Sequence, residues 1–332
     1  MHQRFDPIDV ALLEGFQRDF PLVPRPFGVI AGHLSLTEGE VIARLTRLRA
    51  LGAVARVGAT VRPNTAGAST LAALSVPEDR LEEVAALLGR EPGVNHSYER
   101  DHDWNLWFVA TAADRQGLAA LLARIEGGTG LPVLNLPLLR PFNIDLGFRL
   151  NGPRHSAGIG PAPDMTALDE TDRPILAALT RGLELAPAPF ALLAEHLGRE
   201  EAELRARIAA LSAAGILTRV GVIVRHRPLG WTSNAMVTFD LPEERIVAAG
   251  ESLAAHPGVT LCYLRRTVPG LWRWGLFCMI HGRSRAETLA VLEGALALPK
   301  IRGADHQVLF SLRCFKQTGA DLKPRSMAEV AA

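Results

Sequence analysis

At 332 residues, 48% of them hydrophobic, the chain has material for two ordinary domains and their cores. Its 36 basic and 35 acidic side chains leave a formal charge of +1, which excludes a surface devoted mainly to neutralising phosphates. No apolar run is long enough to span a bilayer, and "MHQRFDPIDVALLEGF" lacks the basic-then-apolar layout of a signal peptide, so a cytoplasmic location is expected.

In chain order, the first amphipathic signals lead to "TEGEVIARLTRLRALG", a helix closed by glycine, and then to the β-branched "RVGATVRP" (56–63). "NHSYERDH" (95–102) reads as a strand and its turn, and "NLWFVAT" and "LLRPFNIDLG" follow as strands. "NGPRHSAGIGPAPDM" (151–165), rich in glycine and proline, reads as a linker. Beyond it, "LDETDRPILAALTRG", "FALLAEHLG" and "EEAELRARIAALSAAG" are three helices, and "ILTRVGVIVRH" supplies the wing strands of that half. "SNAMVTFDLP", "ERIVAAGESLAAHPG", "VTLCYLRRTV", "WGLFCMIHG", "AETLAVLEGALALP" and "DHQVLFSLRCF" then read strand, helix, strand, strand, helix, strand. That order is the ferredoxin-like βαββαβ pattern.

The two halves are copies. "RVG" at Arg56 returns 163 residues later at Arg219, and Gly67 falls on Gly230 at the same spacing. Tyr98 falls on Tyr263, "NLWFVAT" on "GLFCMIH", and "LLRPFNIDLG" on "SLRCFKQTGA", at spacings that grow slowly through loop insertions. The expected fold class is α+β, a tandem repeat of a winged helix-turn-helix and a ferredoxin-like βαββαβ domain. The boundaries read as helix-turn-helix 5–63, ferredoxin-like 64–150, linker 151–167, helix-turn-helix 168–226 and ferredoxin-like 227–320.

This architecture resembles the Lrp/AsnC family of transcription regulators, which would imply DNA binding. Both candidate recognition helices, however, open with glutamates that phosphate would repel, and two unequal fused copies depart from a symmetric palindrome reader. Longer motifs carry a sharper resemblance. "RPNTAGASTLAAL", "GVNHSYERDHDWNLWFV" and "LRPFNIDLGF" resemble one subunit type of siroheme decarboxylase, and "TRVGVIVRHRPLGW", "GLFCMIHGR" and "FSLRCFKQTGA" resemble its partner type. The chain is therefore similar to the fused NirDL type of that family over nearly its whole length.

The resemblance implies loss of carbon dioxide from the C12 and C18 acetates of siroheme, giving 12,18-didecarboxysiroheme for heme d1 biosynthesis. It implies siroheme and didecarboxysiroheme as ligands, no metal site, and no cofactor beyond the iron that siroheme carries. A tetrapyrrole-sensing regulator without catalysis is the alternative. Specific DNA binding is not expected, nor a membrane partner, and self-association would run through the ferredoxin-like domains.

Such a substrate needs cationic clamps and a proton donor. Arginine pairs with carboxylates through two parallel hydrogen bonds, which makes Arg219, Arg225, Arg265 and Arg266 candidates in the second half and Arg56, Arg62 and Arg100 in the first. Histidine transfers protons near neutrality. His226 and His281 are the expected catalytic pair, because the first copy has Pro63 and Thr111 at their positions. Arg219, Arg225, Arg265, Trp231, His96, Tyr98 and Arg100 are the expected substrate-binding set. The acid–base set is thus assigned to the second half. The other tryptophans read as core, and Cys262, Cys278 and Cys314 as buried free thiols.

Overall fold

The computed structural model describes residues 5–144, 147 and 161–320. The expected linker lies outside these up to residue 160, as do Asp145, Leu146 and Phe148 of the "LRPFNIDLGF" stretch.

Helices α1 (Pro7–Gly15), α2 (Pro26–Leu34) and α3 (Glu38–Ala50) form the first helical unit. The Asp6 carboxylate accepts from the Asp9 N–H and the Asp9 carboxylate from the Asp6 N–H, a capping box that starts α1 ahead of Pro7. Thr37 and Glu40 start α3 in the same reciprocal way. Strands β1 (Val54–Val61) and β2 (Ala68–Leu74), helix α4 (Leu81–Arg90), strands β3 (Val94–Arg100) and β4 (Leu106–Ala112), helix α5 (Arg115–Thr129) and strand β5 (Leu134–Ile144) complete the first half. The second half repeats this order as α6 (Arg173–Arg181), α7 (Pro189–Leu197), α8 (Glu201–Ala213), β6 (Leu217–Val224), β7 (Ser233–Asp240), α9 (Glu243–Ala255), β8 (Val259–Arg265), β9 (Leu276–Gly282), α10 (Arg285–Leu296) and β10 (Asp305–Gln317).

The wing differs from expectation. Neither half folds one of its own; each gives a single strand, and β1 pairs antiparallel with β6 so that Gly58 faces Gly221. The repeated glycine has a steric cause. A Cβ on Gly58 would stand 2.4 Å from the Leu179 carbonyl oxygen, and one on Gly221 would stand 2.3 Å from that of Gln17. Only glycine lets each half's first helix end press onto the other half's strand. The close approach is fastened by Leu183 N–H donating to Val57 O at 2.7 Å and Phe20 N–H donating to Val220 O at 3.2 Å. One core, with Leu12, Phe27, Leu45, Ile175, Phe190 and Ile208 fully buried, runs through both helical units.

The ferredoxin-like sheets also merge. The inner part of β5 pairs with β2 and its outer part with β8, while β10 pairs with β7 up to Phe310 and with β3 from Ser311. The result is a closed barrel in the order β10-β3-β4-β2-β5-β8-β9-β7, in which each strand has a neighbour on both sides. Helices α4 and α5 cover one outer face, α9 and α10 the other. Inside, Trp107, Met236, Phe277 and Leu309 fill the lumen, and Trp272 packs edge-on against Trp107 with centroids 5.2 Å apart. Among the described residues no helix is long and apolar enough to cross a membrane.

Candidate functional site

Along a strand alternate residues share a face, and on β3 these are His96, Tyr98 and Arg100. They face the lumen: Arg100 Nη1 donates to Leu309 O at 3.1 Å, and its Nη2 lies 4.0 Å from the Met279 sulfur. On β9 the same alternation turns Phe277, Met279 and His281 inward. Thr260 Oγ1, at the bulged start of β8, lies 2.9 Å from His281 Nδ1 and donates to Met279 O.

His226 leaves β6 on a tight turn that opens a single 3₁₀ turn, Arg227–Leu229. Its carbonyl accepts from the N–H groups of Leu229 and Trp231, each at 3.1 Å, and Gly230 closes the turn at φ 92°. This places the His226 ring edge-to-face on that of His281, centroids 4.9 Å apart. Both imidazoles are buried, at 6% and 5% exposure.

Strand order then joins what the sequence reading kept apart. β3, β10, β7 and β9 are consecutive in the barrel, so His96, Tyr98 and Arg100 of the first half line the same side as His281 of the second. The turn carrying His226 stands over that side. Arg227 Nη2 reaches Ser311 Oγ at 3.4 Å, and its charge is felt at Tyr98, Arg100 and Cys314. Arg225 also acts on Cys314, and Arg56 on His96. The site is therefore composite.

Its electrostatics follow from burial without counter-ions. Burial, and then the Arg56 charge, hold His96 down to about 4, so it is a neutral imidazole at neutral pH. Burial pushes the Tyr98 hydroxyl up, which keeps it a proton donor. The guanidiniums of Arg56, Arg100 and Arg265 are each lowered to about 10 by burial and stay charged. Among the described residues, no carboxylate pairs with Arg56, Arg100, Arg225, Arg227 or Arg265, and the Nε of each has no hydrogen-bond partner. Arg56, Arg100, Arg225 and Arg227 gather near the histidine-bearing side, and no carboxylate among the described residues pairs with any of them.

Comparison with known proteins follows the same halves. Residues 9–54 and 172–217 match the siroheme decarboxylase NirDL-like HTH domain, and residues 66–143 and 228–316 match the AsnC-like ligand binding domain. The chain is 61% identical over 328 residues to the siroheme decarboxylase NirDL subunit of Paracoccus pantotrophus, spanning 98% of this chain and 99% of that one. It is 60% identical over 327 residues to the corresponding subunit of Paracoccus denitrificans strain Pd 1222, spanning 98% and 99%.

The chain belongs to the siroheme decarboxylase NirDL family.

A crystal structure of the siroheme decarboxylase NirDL, in co-complex with an iron-uroporphyrin III analogue, matches with a TM-score of 0.66 at 27% identity, covering 95% of this chain and 93% of that one.

In this siroheme decarboxylase family member, the opposite side of the barrel carries the twin positions. Tyr263 and Arg265 repeat Tyr98 and Arg100: Arg265 Nη1 donates to Leu136 O at 2.9 Å and stacks 5.1 Å over the Tyr263 ring. Arg62 repeats Arg225 and donates from Nε to Gly215 O at 3.0 Å. The histidines and the cysteine are not repeated. Leu261 stands where His96 has its twin, Pro63 opposite His226, Thr111 opposite His281 and Pro141 opposite Cys314. Thr111 Oγ1 donates to Asn95 Oδ1 at 3.4 Å, a plain copy of the Thr260–His281 contact.

Four expected residues stand in a setting of their own. Trp231 is buried in the helical core with the Arg283 guanidinium 5.3 Å above its ring, so it braces the His226 turn and offers no open face for stacking. Arg266 is exposed, and Arg219 is buried on β6. Cys314 is exposed where a buried thiol was expected, because it sits on the part of β10 that overhangs its own half and meets Tyr98. Arg227, Ser311 and Thr260 were missed. Only Arg227 left a signal: it extends "RH" to "RHR", where the first copy reads "RPN".

Proposed function

We propose that this chain removes carbon dioxide from the C12 and C18 acetates of siroheme, giving 12,18-didecarboxysiroheme on the route to heme d1. The observation that carries the reading is the gathering of Arg56, Arg100, Arg225 and Arg227, none paired to a carboxylate among the described residues, around one side of the barrel beside His96, His226 and His281. Charges so placed are costly unless a ligand brings the counter-charge. A tetrapyrrole edged with carboxylates brings several.

In each step the bond between the acetate CH2 and its carboxylate breaks, carbon dioxide leaves, and the CH2 gains a proton to become methyl. The abandoned electron pair needs a sink, which transient protonation of the conjugated ring provides. His226 and His281 are the proposed proton carriers, a role worth about 10²–10⁴-fold. Arg219, Arg225, His96, Tyr98 and Arg100 are the proposed substrate contacts on the histidine-bearing side, Arg265 holds the twin place on the opposite side, and Trp231 supports the turn. The remaining rate enhancement falls to positioning and fixed charge. The iron comes with the substrate, and the reading calls for no further cofactor.

The helix-turn-helix units serve as scaffold in this reading. What supports it is the use made of their acidic first turns: Glu38 pairs with Arg25, Glu40 closes a cap, Glu201 pairs with Arg205 and Glu203 with Arg199. The association expected of the ferredoxin-like domains is, we propose, the one made inside the chain.

Anaerobic incubation with siroheme, followed by mass spectrometry, tests the function. Stepwise loss of two carbon dioxide units is expected. Siroheme bound but returned unchanged would identify a tetrapyrrole-sensing protein instead.

A further inference from the structure

Arg227 distinguishes the two sides of the barrel in a way that the shared fold does not require. Its twin position holds Asn64, in a left-handed backbone at φ 62°, whose Oδ1 turns back to accept from the Ser69 N–H at 2.8 Å and the Ser69 hydroxyl at 3.1 Å. Arg227 instead reaches away from its turn toward the lumen, where its Nη2 makes a long contact, 3.4 Å, with Ser311 Oγ. Its Nε has no partner among the described residues, and no carboxylate there faces it. Its neighbours are Arg100, whose guanidinium it destabilises through like charge, the Tyr98 hydroxyl, and Cys314, next to which Arg225 brings another cation. Arg100 is anchored on Leu309 O, and the corresponding bond of Arg265 to Leu136 O shows that this anchoring belongs to the fold. Arg227 has no such structural duty. Converging like charges are unfavourable until an anion enters between them.

We propose that Arg227, with Arg100 and the Tyr98 hydroxyl, holds an acetate carboxylate of the macrocycle, and so decides which side of the barrel receives the substrate. The inference rests on the tetrapyrrole reading above and adds the residue that selects for acetate. It commits the site to macrocycles bearing an acetate at that edge, whichever propionates the other arginines bind.

Two iron porphyrins separate the contributions: iron uroporphyrin III, with an acetate on each pyrrole, and iron coproporphyrin III, in which each acetate is a methyl group. Binding is followed through the Soret band for the parent chain, Arg227→Asn (the twin residue) and Arg227→Lys. The parent should prefer iron uroporphyrin III. Arg227→Asn should bind it about tenfold to a hundredfold more weakly, the range for a lost charged hydrogen bond, and leave iron coproporphyrin III affinity unchanged. Arg227→Lys should recover part of the loss. Unchanged coproporphyrin binding also shows that the variant is folded. If Arg227→Asn keeps the parent's preference, or weakens both ligands equally, the clamp is wrong while the decarboxylase reading stands. A parent that binds neither porphyrin overturns both.

Discussion

His226 and His281 lie on different elements of the second half, yet their rings meet edge-to-face with centroids 4.9 Å apart. Their twins, Pro63 and Thr111, exchange no protons near neutral pH. Two groups in contact act as one unit, and their deletions are not additive. His226→Ala and His281→Ala should each retain bound siroheme and slow single-turnover decarboxylation by about 10²-fold or more. The double variant should be little slower than the worse single one. A product of the two separate losses would mean the imidazoles work independently, and full activity in either single variant would remove the pair from the chemistry.

His96 gives a pH signature that needs no substrate. The folded chain holds its pKa at about 4, against 6.5 for an ordinary imidazole, because burial and the Arg56 charge oppose protonation. Between those values the unfolded chain binds a proton that the folded chain does not, so stability falls as pH drops from 6.5 toward 4 and is unaffected above. The loss from this group is at most about 3 kcal/mol. His96→Leu, which installs the residue of the twin position, should flatten the melting temperature over that window by removing this share. An unchanged acid slope would mean that His96 is solvated and titrates normally.

Much of this was legible in the sequence, for identifiable reasons. The repeat, the helix caps and the alternation of strands are written locally, and the exchanges at His226 and His281 emerge once the copies are aligned. Pairing between halves is different. Main-chain hydrogen bonds between strands carry almost no side-chain signature, so nothing in "RVGATVRP" says that its partner is β6 and not a neighbour in its own half. The overhang of β10 from Ser311 to Gln317 is likewise silent, although it alone brings β3 and His96 beside the second half's histidines. Arg227 was passed over because its target, Ser311, is 84 positions away.

The cross-half docking can be tested at Gly58. An alanine there would drive its methyl into the Leu179 carbonyl and force α6 off β1. A clash with main chain cannot relax by a rotamer change, so a loss of about 1–3 kcal/mol is expected, visible as a lower melting temperature. Gly221→Ala should do the same through Gln17. Gly32, where an added methyl would meet nothing within 4 Å, is the control, and alanine there should be neutral or mildly stabilising. Equal stability at Gly58 and Gly32 would show that the two helical units do not interlock as described.

Arg225 and Arg62 offer the sharpest comparison of the two sides, because the fold treats them alike. Each follows its wing strand and reaches the glycine turn after a third helix: Arg225 Nη1 approaches Gly52, and Arg62 donates to the Gly215 carbonyl, each in the other half. Only Arg225 stands over the histidine-bearing side, with its Nε unpartnered among the described residues. Any structural share of these side chains should therefore appear equally in both alanine variants, as a similar change in melting temperature. Their effects on ligand should diverge. Arg225→Ala should weaken siroheme binding about tenfold to a hundredfold, since a desolvated carboxylate loses its cationic partner. Arg62→Ala should bind as the parent does. Equal losses in the two variants would mean that both sides of the barrel take substrate, and the asymmetry read from Pro63, Thr111 and Leu261 would then concern proton transfer alone.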